Sequence, residues 1–287
     1  MQTKDLIKKV RKIEIKTKRL SDHIFGGEYQ STFKGKGMTF SEVRQYQIGD
    51  DVRAIDWNVT ARYNEPFIKV FEEEREQTMM LMVDVSGSKS FGTTNIFKNE
   101  YVTEIAATLS FSANQNNDKI GLILFTDIIE LYIPPKKGKT HILRIIRELL
   151  EFKPIQRRTD IHRALKFLSN IQKNKAIVFL ISDFISEDYF KSLKISSSKH
   201  DITGIRIFDS NEISIPNLGI IQVLDNETGI LSYLDTSSKK IRLAYSNSYS
   251  RNLNLFEKNF KRAGAGIINC NTNDNYVKKL LAYFKGR

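Results

Sequence analysis

The chain has 287 residues but a single cysteine, Cys270, and it contains no long apolar run. One thiol excludes an internal disulfide, which fits a reducing compartment because disulfides persist mainly in oxidising ones. No apolar run approaches the about 20 residues that a membrane-spanning helix requires. The N-terminus is basic but lacks the apolar stretch of a signal peptide. We therefore expect a soluble, cytoplasmic protein without a transmembrane segment.

The chain also lacks the residue patterns of common enzymes. The Gly-Lys-Thr string at residues 138–140 is similar to the end of a phosphate-binding loop, but Ile133 occupies the position of its first glycine. Ser86 does not lie in the G-x-S-x-G motif of a serine hydrolase, because Asp84 stands two residues before it. The four histidines are scattered without the spacing of a metal site. We find no nucleophile paired with a general base, and we do not expect an enzyme.

Positive charge is in excess, with 45 Lys and Arg against 33 Asp and Glu and a net charge of +12. Apolar residues at helical spacing predict an amphipathic helix over residues 4–22, and residues 1–20 hold much of the excess charge. Such a helix can bind nucleic acid, an anionic membrane surface or an acidic protein, or it can simply face solvent. The aromatic residues on which single strands stack are absent from residues 1–20, which argues against nucleic acid.

The most informative segment is Asp84-Val85-Ser86-Gly87-Ser88, which follows an apolar run at residues 79–83. A strand that ends in this way carries one carboxylate and two hydroxyls on a short loop. These hard oxygen donors suit Mg²⁺. The same residues can equally form an ordinary turn, in which Asp and Ser bond to their own backbone.

Two later segments favour the metal over the turn. A second predicted strand, at residues 175–182, is followed by Asp183, and Thr159 stands just before a helical pattern. Ligands of α/β sheets gather beyond the carboxyl ends of parallel strands. One site could therefore collect five oxygen donors, namely Asp84, Ser86, Ser88, Thr159 and Asp183.

The order of these residues resembles the metal-ion-dependent adhesion site of von Willebrand factor type A domains. The resemblance implies that Asp84, Ser86 and Ser88 are the first-loop ligands of Mg²⁺ or Mn²⁺. It implies that Thr159 binds directly or through water and that Asp183 acts mostly through water. The second loop reads Arg157-Arg158-Thr159, whereas many members of that family have glycines before the threonine.

Strands and helices alternate from residue 77 onward, which predicts an α/β fold with a mainly parallel central sheet and helices on both faces. A short turn between predicted strands 119–125 and 128–133 suggests the antiparallel edge strand of the von Willebrand type A architecture. We expect a Rossmann-like type A domain over residues 76–287. An N-terminal helix and an irregular or β arm, residues 1–75, would precede it and pack on it.

Within this arm, residues 35–62 alternate Arg and Asp densely among aromatic residues. Arg and Asp at this density can form bidentate pairs that fix an irregular segment, and Trp57 is predicted to anchor it. The same residues could instead form a catalytic cleft. The proposed structural set is Arg44, Tyr46, Asp50, Asp51, Arg53, Asp56, Trp57 and Arg62.

These residues, with the glycines at positions 35, 37 and 49, resemble the signature of the bacterial domain-of-unknown-function 58 family. That family places such a segment before a von Willebrand type A core, and its genes typically lie beside those of MoxR-type AAA+ ATPases. The resemblance implies a metal-dependent adaptor whose partner is such an ATPase or a membrane-anchored type A protein. A metal-dependent phosphotransferase or hydrolase, or a binder of anionic polymers or membrane surfaces through the basic helix, are the alternatives.

Overall fold

The protein is described by a computed structural model. The structure describes residues 39–72, 77–87, 98–186, 188–224 and 230–286, together with residues 10, 11, 13, 14 and 17. The chain divides into two compact units, Phe33–Gln77 and Met1–Thr32 with Thr78–Arg287. Among the described residues, no helix is both long enough and apolar enough to cross a membrane.

The smaller unit is built on a two-stranded antiparallel sheet of β1 (Thr39–Gln45) and β2 (Phe67–Glu72). Between the strands lie a turn, a short 3-10 helix at Val52–Ala54 and helix α1 (Trp57–Tyr63). This segment is therefore more regular than the sequence indicates. The register of β1 joins residues far apart in the chain, such as Gln45 and Phe67, and this pairing leaves no local pattern in the sequence.

From residue 78 onward, the strands and α-helices of the larger unit are, in chain order, β3 (Thr78–Asp84), α2 (Lys98–Gln115), β4 (Lys119–Phe125), β5 (Ile129–Lys136), α3 (Lys139–Glu151), α4 (Ile161–Ile171), β6 (Ile177–Ser182), α5 (Phe190–Lys199), β7 (Asp201–Phe208), β8 (Ile220–Leu224), β9 (Leu231–Asp235), α6 (Lys239–Ala263), β10 (Gly266–Asn271) and α7 (Tyr276–Lys285). Five parallel strands and one antiparallel edge strand form a sheet with the order β10-β7-β6-β3-β4-β5. The predicted sheet and its antiparallel edge are confirmed. Strands β8 and β9 form a separate antiparallel pair.

The central strands β3, β4 and β6 are apolar on both faces because both faces are covered by helices. Met80 and Val178 belong to a core cluster that includes residues of α4, α5 and α6. Phe179, which follows Val178, points to the other face and meets Phe284 of α7 edge-on with ring centroids 6.3 Å apart. Alternation along the strands thus assigns successive residues to two separate helix layers.

The helix layer of α6 approaches the sheet closely at Gly204 in β7. A Cβ atom at this position would lie 2.4 Å from Phe260 of α6, so only glycine leaves room for the ring. Phe260 in turn packs against Phe256 and Phe184, with centroids 4.7 and 5.1 Å apart. This aromatic cluster ties α6 to the loop that follows β6.

The predicted strand 119–125 has the same bounds as β4, and the predicted strands 128–133 and 175–182 agree with β5 and β6 to within three residues at each end. The predicted helix over residues 4–22 lies largely outside the described residues, although residues 10, 11, 13, 14 and 17 are helical. Glu14 in this segment forms an ion pair with Lys139 of α3, with Oε1 and Nζ 2.6 Å apart.

Candidate metal site

The candidate site lies at the carboxyl edge of the sheet, where three segments of the larger unit meet. Asp84 is the last residue of β3, and Asp183 directly follows the last residue of β6, Ser182. Thr159 stands two residues before α4. Because β3 and β6 are paired and parallel, their carboxyl ends reach this edge side by side. The structure thus brings together the three loops that the sequence singled out.

Asp84 is the centre of the hydrogen bonding in this site. Its Oδ2 accepts a hydrogen bond from Ser182 Oγ at 2.7 Å and one from Thr159 Oγ1 at 3.2 Å. Its Oδ1 accepts a hydrogen bond from the backbone N–H of Ser86 at 2.9 Å. Each hydroxyl that donates to the carboxylate keeps its own lone pairs for another group. Thr159 can therefore hold Asp84 in place and still offer an oxygen to a cation.

Backbone hydrogen bonds join the first and second loops directly. The N–H of Gly87 donates to the carbonyl of Arg157 at 3.0 Å, and the N–H of Asp160 donates to the carbonyl of Thr126 at 3.1 Å. Asp160 also caps α4 by accepting a hydrogen bond from the N–H of Arg163. The Arg157-Arg158 sequence is compatible with this arrangement, because the contact to Gly87 uses a carbonyl oxygen that any residue supplies.

The third loop is shaped by Phe184, which adopts a left-handed backbone with φ 59°. A bulky residue rarely adopts this conformation, and it persists only where the surroundings enforce it. Here the buried Phe184 ring stacks on Phe256 at 4.3 Å between centroids, and its N–H donates to Ser182 Oγ at 3.0 Å. One residue earlier, Asp183 Oδ1 accepts a hydrogen bond from the N–H of Ile185 at 3.1 Å. The packing of Phe184 therefore fixes the backbone that presents Asp183.

Two acidic side chains are buried close together at this edge. Asp84 is 6 % exposed and Asp183 is 9 % exposed. Burial, and then the negative charge of Asp183, raise the pKa of Asp84 above its ordinary value, and hydrogen bonds from Ser86 and Ser182 oppose the rise. Two buried like charges are unfavourable unless a cation compensates them.

The partial compensation inside the protein comes from Lys98 of α2. Its ammonium lies 4.0 Å from Asp183 Oδ2 and 3.1 Å from Oε1 of Glu212. Glu212 ends a short 3-10 helix, Ser210–Glu212, that follows β7. Ser182, Lys98 and Glu212 were absent from the predicted set of site residues.

The donors fit a hard divalent cation. Among the described residues, no group of three or more His, Cys, Asp and Glu side chains is placed to hold a metal ion. A metal at Asp84 would therefore depend on hydroxyl oxygens and water as well as carboxylate, which suits Mg²⁺ or Mn²⁺ better than Zn²⁺. Ser86 is 3 % exposed and lies in the first loop, whereas Ser88 lies outside the described residues.

The arm residues form their own network in the smaller unit. Arg44 donates two hydrogen bonds to Asp50, at 2.8 and 2.7 Å, and this pairing holds the pKa of Asp50 below its ordinary value. Gly49, with φ 109°, makes the turn that brings them together. The bidentate Arg–Asp pair predicted for this segment is thus present. The prediction that Trp57 anchors the arm is wrong, because its side chain is 70 % exposed.

The remaining arm residues serve local structure or lie at the surface. Asp51 caps the 3-10 helix through the N–H of Arg53 at 2.9 Å. Asp56 caps α1 through the N–H groups of Asn58 and Val59, and its ion-pair partner is Lys69 at 3.4 Å. Tyr46 is half-buried, while Arg53 and Arg62 are exposed.

The strand order, the antiparallel edge and the position of the acidic site define a von Willebrand factor type A fold. The chain belongs to the family described as "Protein of unknown function DUF58", whose model matches residues 42–254. The uncharacterized protein Rv1480 of Mycobacterium tuberculosis is 23 % identical over 281 residues, covering 97 % of this chain and 88 % of the relative. The uncharacterized protein YeaD of Bacillus subtilis is 28 % identical over 109 residues, 38 % of this chain and 25 % of YeaD.

Two solved structures overlap with most of the chain at low sequence identity. An aerotolerance-related membrane protein of Bacteroides fragilis is 15 % identical with a TM-score of 0.49, covering 74 % of this chain and all of that protein's structure. BatB of Bacteroides thetaiotaomicron is 15 % identical with a TM-score of 0.47, covering 73 % of this chain and 98 % of the other. The fold assignment rests on the strand order of this protein rather than on these overlaps.

Proposed function

We propose that this protein is a metal-dependent protein-interaction module without enzymatic activity of its own. The observation that carries the proposal is the convergence of two buried carboxylates and several hydroxyls at the carboxyl edge of the parallel strands, where α/β folds bind their ligands. Asp84, Ser86 and Thr159 would hold Mg²⁺ or Mn²⁺, with Asp183 acting through water. Ser88 would complete the first loop, as its place in the motif suggests.

When bound, a divalent ion would offer a remaining coordination position to a carboxylate of a partner protein. The protein's own residues prepare that event. Ser182 and the N–H of Ser86 orient Asp84, and the Phe184 turn holds Asp183 beside it. Two acidic side chains balance, but do not exceed, the charge of one divalent ion, so an incoming Glu or Asp is still attracted.

Membership of the family makes a MoxR-type AAA+ ATPase the first partner to test, and a membrane-anchored type A protein the second. A cytoplasmic location would place the module beside such an ATPase. The partner is expected to present an exposed Asp or Glu, because that is the side chain that completes the coordination of a hard divalent ion.

The decisive experiment measures capture of a purified MoxR-type ATPase by the full chain under three conditions. These are Mg²⁺ at about 100 times its Kd for the chain, excess EDTA, and Mg²⁺ restored after EDTA. We expect capture to vanish in EDTA, to return with Mg²⁺, and to be lost in Asp84→Asn. Asp201→Asn, at the opposite edge of the sheet, is the matched control and should behave as wild type.

Capture that persists in EDTA or in Asp84→Asn would overturn the metal-dependent mechanism. Hydrolysis of a phosphate ester by the wild-type chain that disappears in Asp84→Asn would instead favour the enzyme alternative. A requirement for residues 1–20 with steep salt dependence would assign binding to the basic helix.

A further inference from the structure

A buried lysine occupies an unusual position beside the candidate metal site. Lys98 lies in helix α2, whose described part is Lys98–Gln115. It is also only 4 % exposed, although lysine is rarely buried without a compensating partner. The reason for a buried ammonium at this position must therefore be sought in its contacts.

Those contacts place the ammonium between two acids from different segments. Nζ of Lys98 is 3.1 Å from Oε1 of Glu212 and 4.0 Å from Oδ2 of Asp183. The closer contact, which also meets hydrogen-bond geometry, is the one to Glu212. The ammonium is thus held by Glu212 within reach of the carboxylate that completes the metal site.

We infer that Lys98 is an internal competitor for the metal, and that Glu212 sets the strength of this competition by holding the ammonium away from Asp183. This inference rests on the proposed function, because it concerns the affinity of the same site. Without a metal, the ammonium lowers the cost of burying Asp84 and Asp183 together. With a metal present, the same charge repels the ion and weakens its binding.

The inference predicts opposite effects at two residues. Removing the ammonium in Lys98→Met should tighten the binding of Mn²⁺, since an uncharged side chain of similar length no longer opposes the ion. Removing the holding carboxylate in Glu212→Gln should weaken it, because Lys98 is then free to pair fully with Asp183. Lys98→Arg keeps the charge and should change the affinity little.

The test is isothermal titration of the full chain with MnCl₂ and MgCl₂ after EDTA treatment and dialysis. We expect the Kd of Lys98→Met to fall about tenfold or more, and that of Glu212→Gln to rise about tenfold, which are effects typical of close charges. Lys175→Met is the control. Lys175 precedes the amino end of β6, away from the site at the carboxyl end, so this variant makes the same change in net charge but should leave the Kd within about twofold of wild type.

The double variant Lys98→Met with Glu212→Gln distinguishes competition between Lys98 and the metal from a general effect of net charge. If Glu212 acts by holding Lys98, then Glu212→Gln has a smaller effect in the Lys98→Met background than in wild type. The double variant also keeps the test valid if Lys98→Met alone fails to fold. It removes the Glu212 carboxylate, which Lys98→Met alone would leave without its partner. Circular dichroism in EDTA checks the fold of each variant.

The possible failures are distinguishable. A wild-type chain that binds neither Mn²⁺ nor Mg²⁺ would refute the proposed function and this inference together. A wild-type chain that binds the metal, with Lys98→Met no tighter than Lys175→Met, would refute the role of Lys98 alone. An equal effect of Glu212→Gln in both backgrounds would show that Glu212 acts on the ion directly and not through Lys98.

Discussion

Replacing Asp84 with asparagine separates the stability of the fold from the stability that a metal adds. Asparagine can keep the hydrogen bond from the N–H of Ser86, and its amide can donate to the hydroxyls of Ser182 and Thr159, which turn to accept. The rearrangement costs about 1 kcal/mol of hydrogen bonding. Loss of the buried negative charge beside Asp183 offsets this cost, because burial and Asp183 already raise the pKa of Asp84. In EDTA at neutral pH, we therefore expect Asp84→Asn to be at least as stable as wild type.

Bound Mg²⁺ should make wild type the more stable of the two proteins. A ligand that binds only the folded state at 100 times its Kd stabilises it by about 2.7 kcal/mol. In a domain of 150–250 residues each kcal/mol shifts Tm by about 2–4 °C, so saturating Mg²⁺ should raise the Tm of wild type by about 5–11 °C. Asp84→Asn should show no such rise, because its principal charged ligand is gone.

Differential scanning calorimetry of both proteins, with and without Mg²⁺, measures all four values. The sign of the pH dependence provides a second check in EDTA. A carboxyl whose pKa is raised on folding stabilises the folded state below its unfolded pKa, and this contribution is lost as the pH rises through the folded value. Wild type should therefore gain stability relative to Asp84→Asn as the pH is lowered. An equal Mg²⁺-induced shift in both proteins, or a variant much less stable than wild type in EDTA, would refute this account of Asp84.

Three further changes test the surroundings of the site. Gly204→Ala should destabilise the protein by about 1–3 kcal/mol in urea unfolding, because the new Cβ meets Phe260 at 2.4 Å. Adding Phe260→Leu to this variant should recover part of the lost stability. No loss of stability in Gly204→Ala would show that the Phe260 ring moves freely. Asp160→Ala should cost about 0.5–2 kcal/mol by removing the cap of α4, with Asp160→Asn nearly neutral as the control. His200 is buried, which lowers its pKa to about 4 from 6.5, so the stability it contributes should be lost as the pH falls from 6.5 toward 4; His200→Phe should flatten this slope, and an unchanged slope would assign it to other groups.

The core strands and the convergence of their ends could be predicted from the sequence for one physical reason. A strand buried on both faces must be apolar throughout, so β3 and β6 stand out as short apolar runs that stop at a polar residue. Parallel strands then deliver those polar residues to the same edge. Asp84 and Asp183 therefore follow from the pattern alone, and Thr159 follows from its position before a helix.

The supporting residues of the site did not follow from the sequence, because their roles depend on distant pairings. Lys98 and Glu212 are 114 positions apart, and nothing local marks them as partners. Ser182 is only the last residue of a predicted strand in the sequence, yet its hydroxyl donates a shorter hydrogen bond to Asp84 than that of Thr159 does. Trp57 is predicted from the sequence to anchor the arm, but it lies exposed at the first position of α1.

Phe184 couples the packing of the aromatic core to the geometry of the acidic site. Its left-handed backbone is unfavourable for a bulky side chain. The stacking of its ring on Phe256 and its edge-on contact with Phe260 oppose that cost. Since Asp183 immediately precedes it, any repacking of these rings changes where that carboxylate points. The position of Asp183 is therefore determined by α6 as much as by the strand that carries it, and a pattern confined to residues 182–184 cannot reveal this.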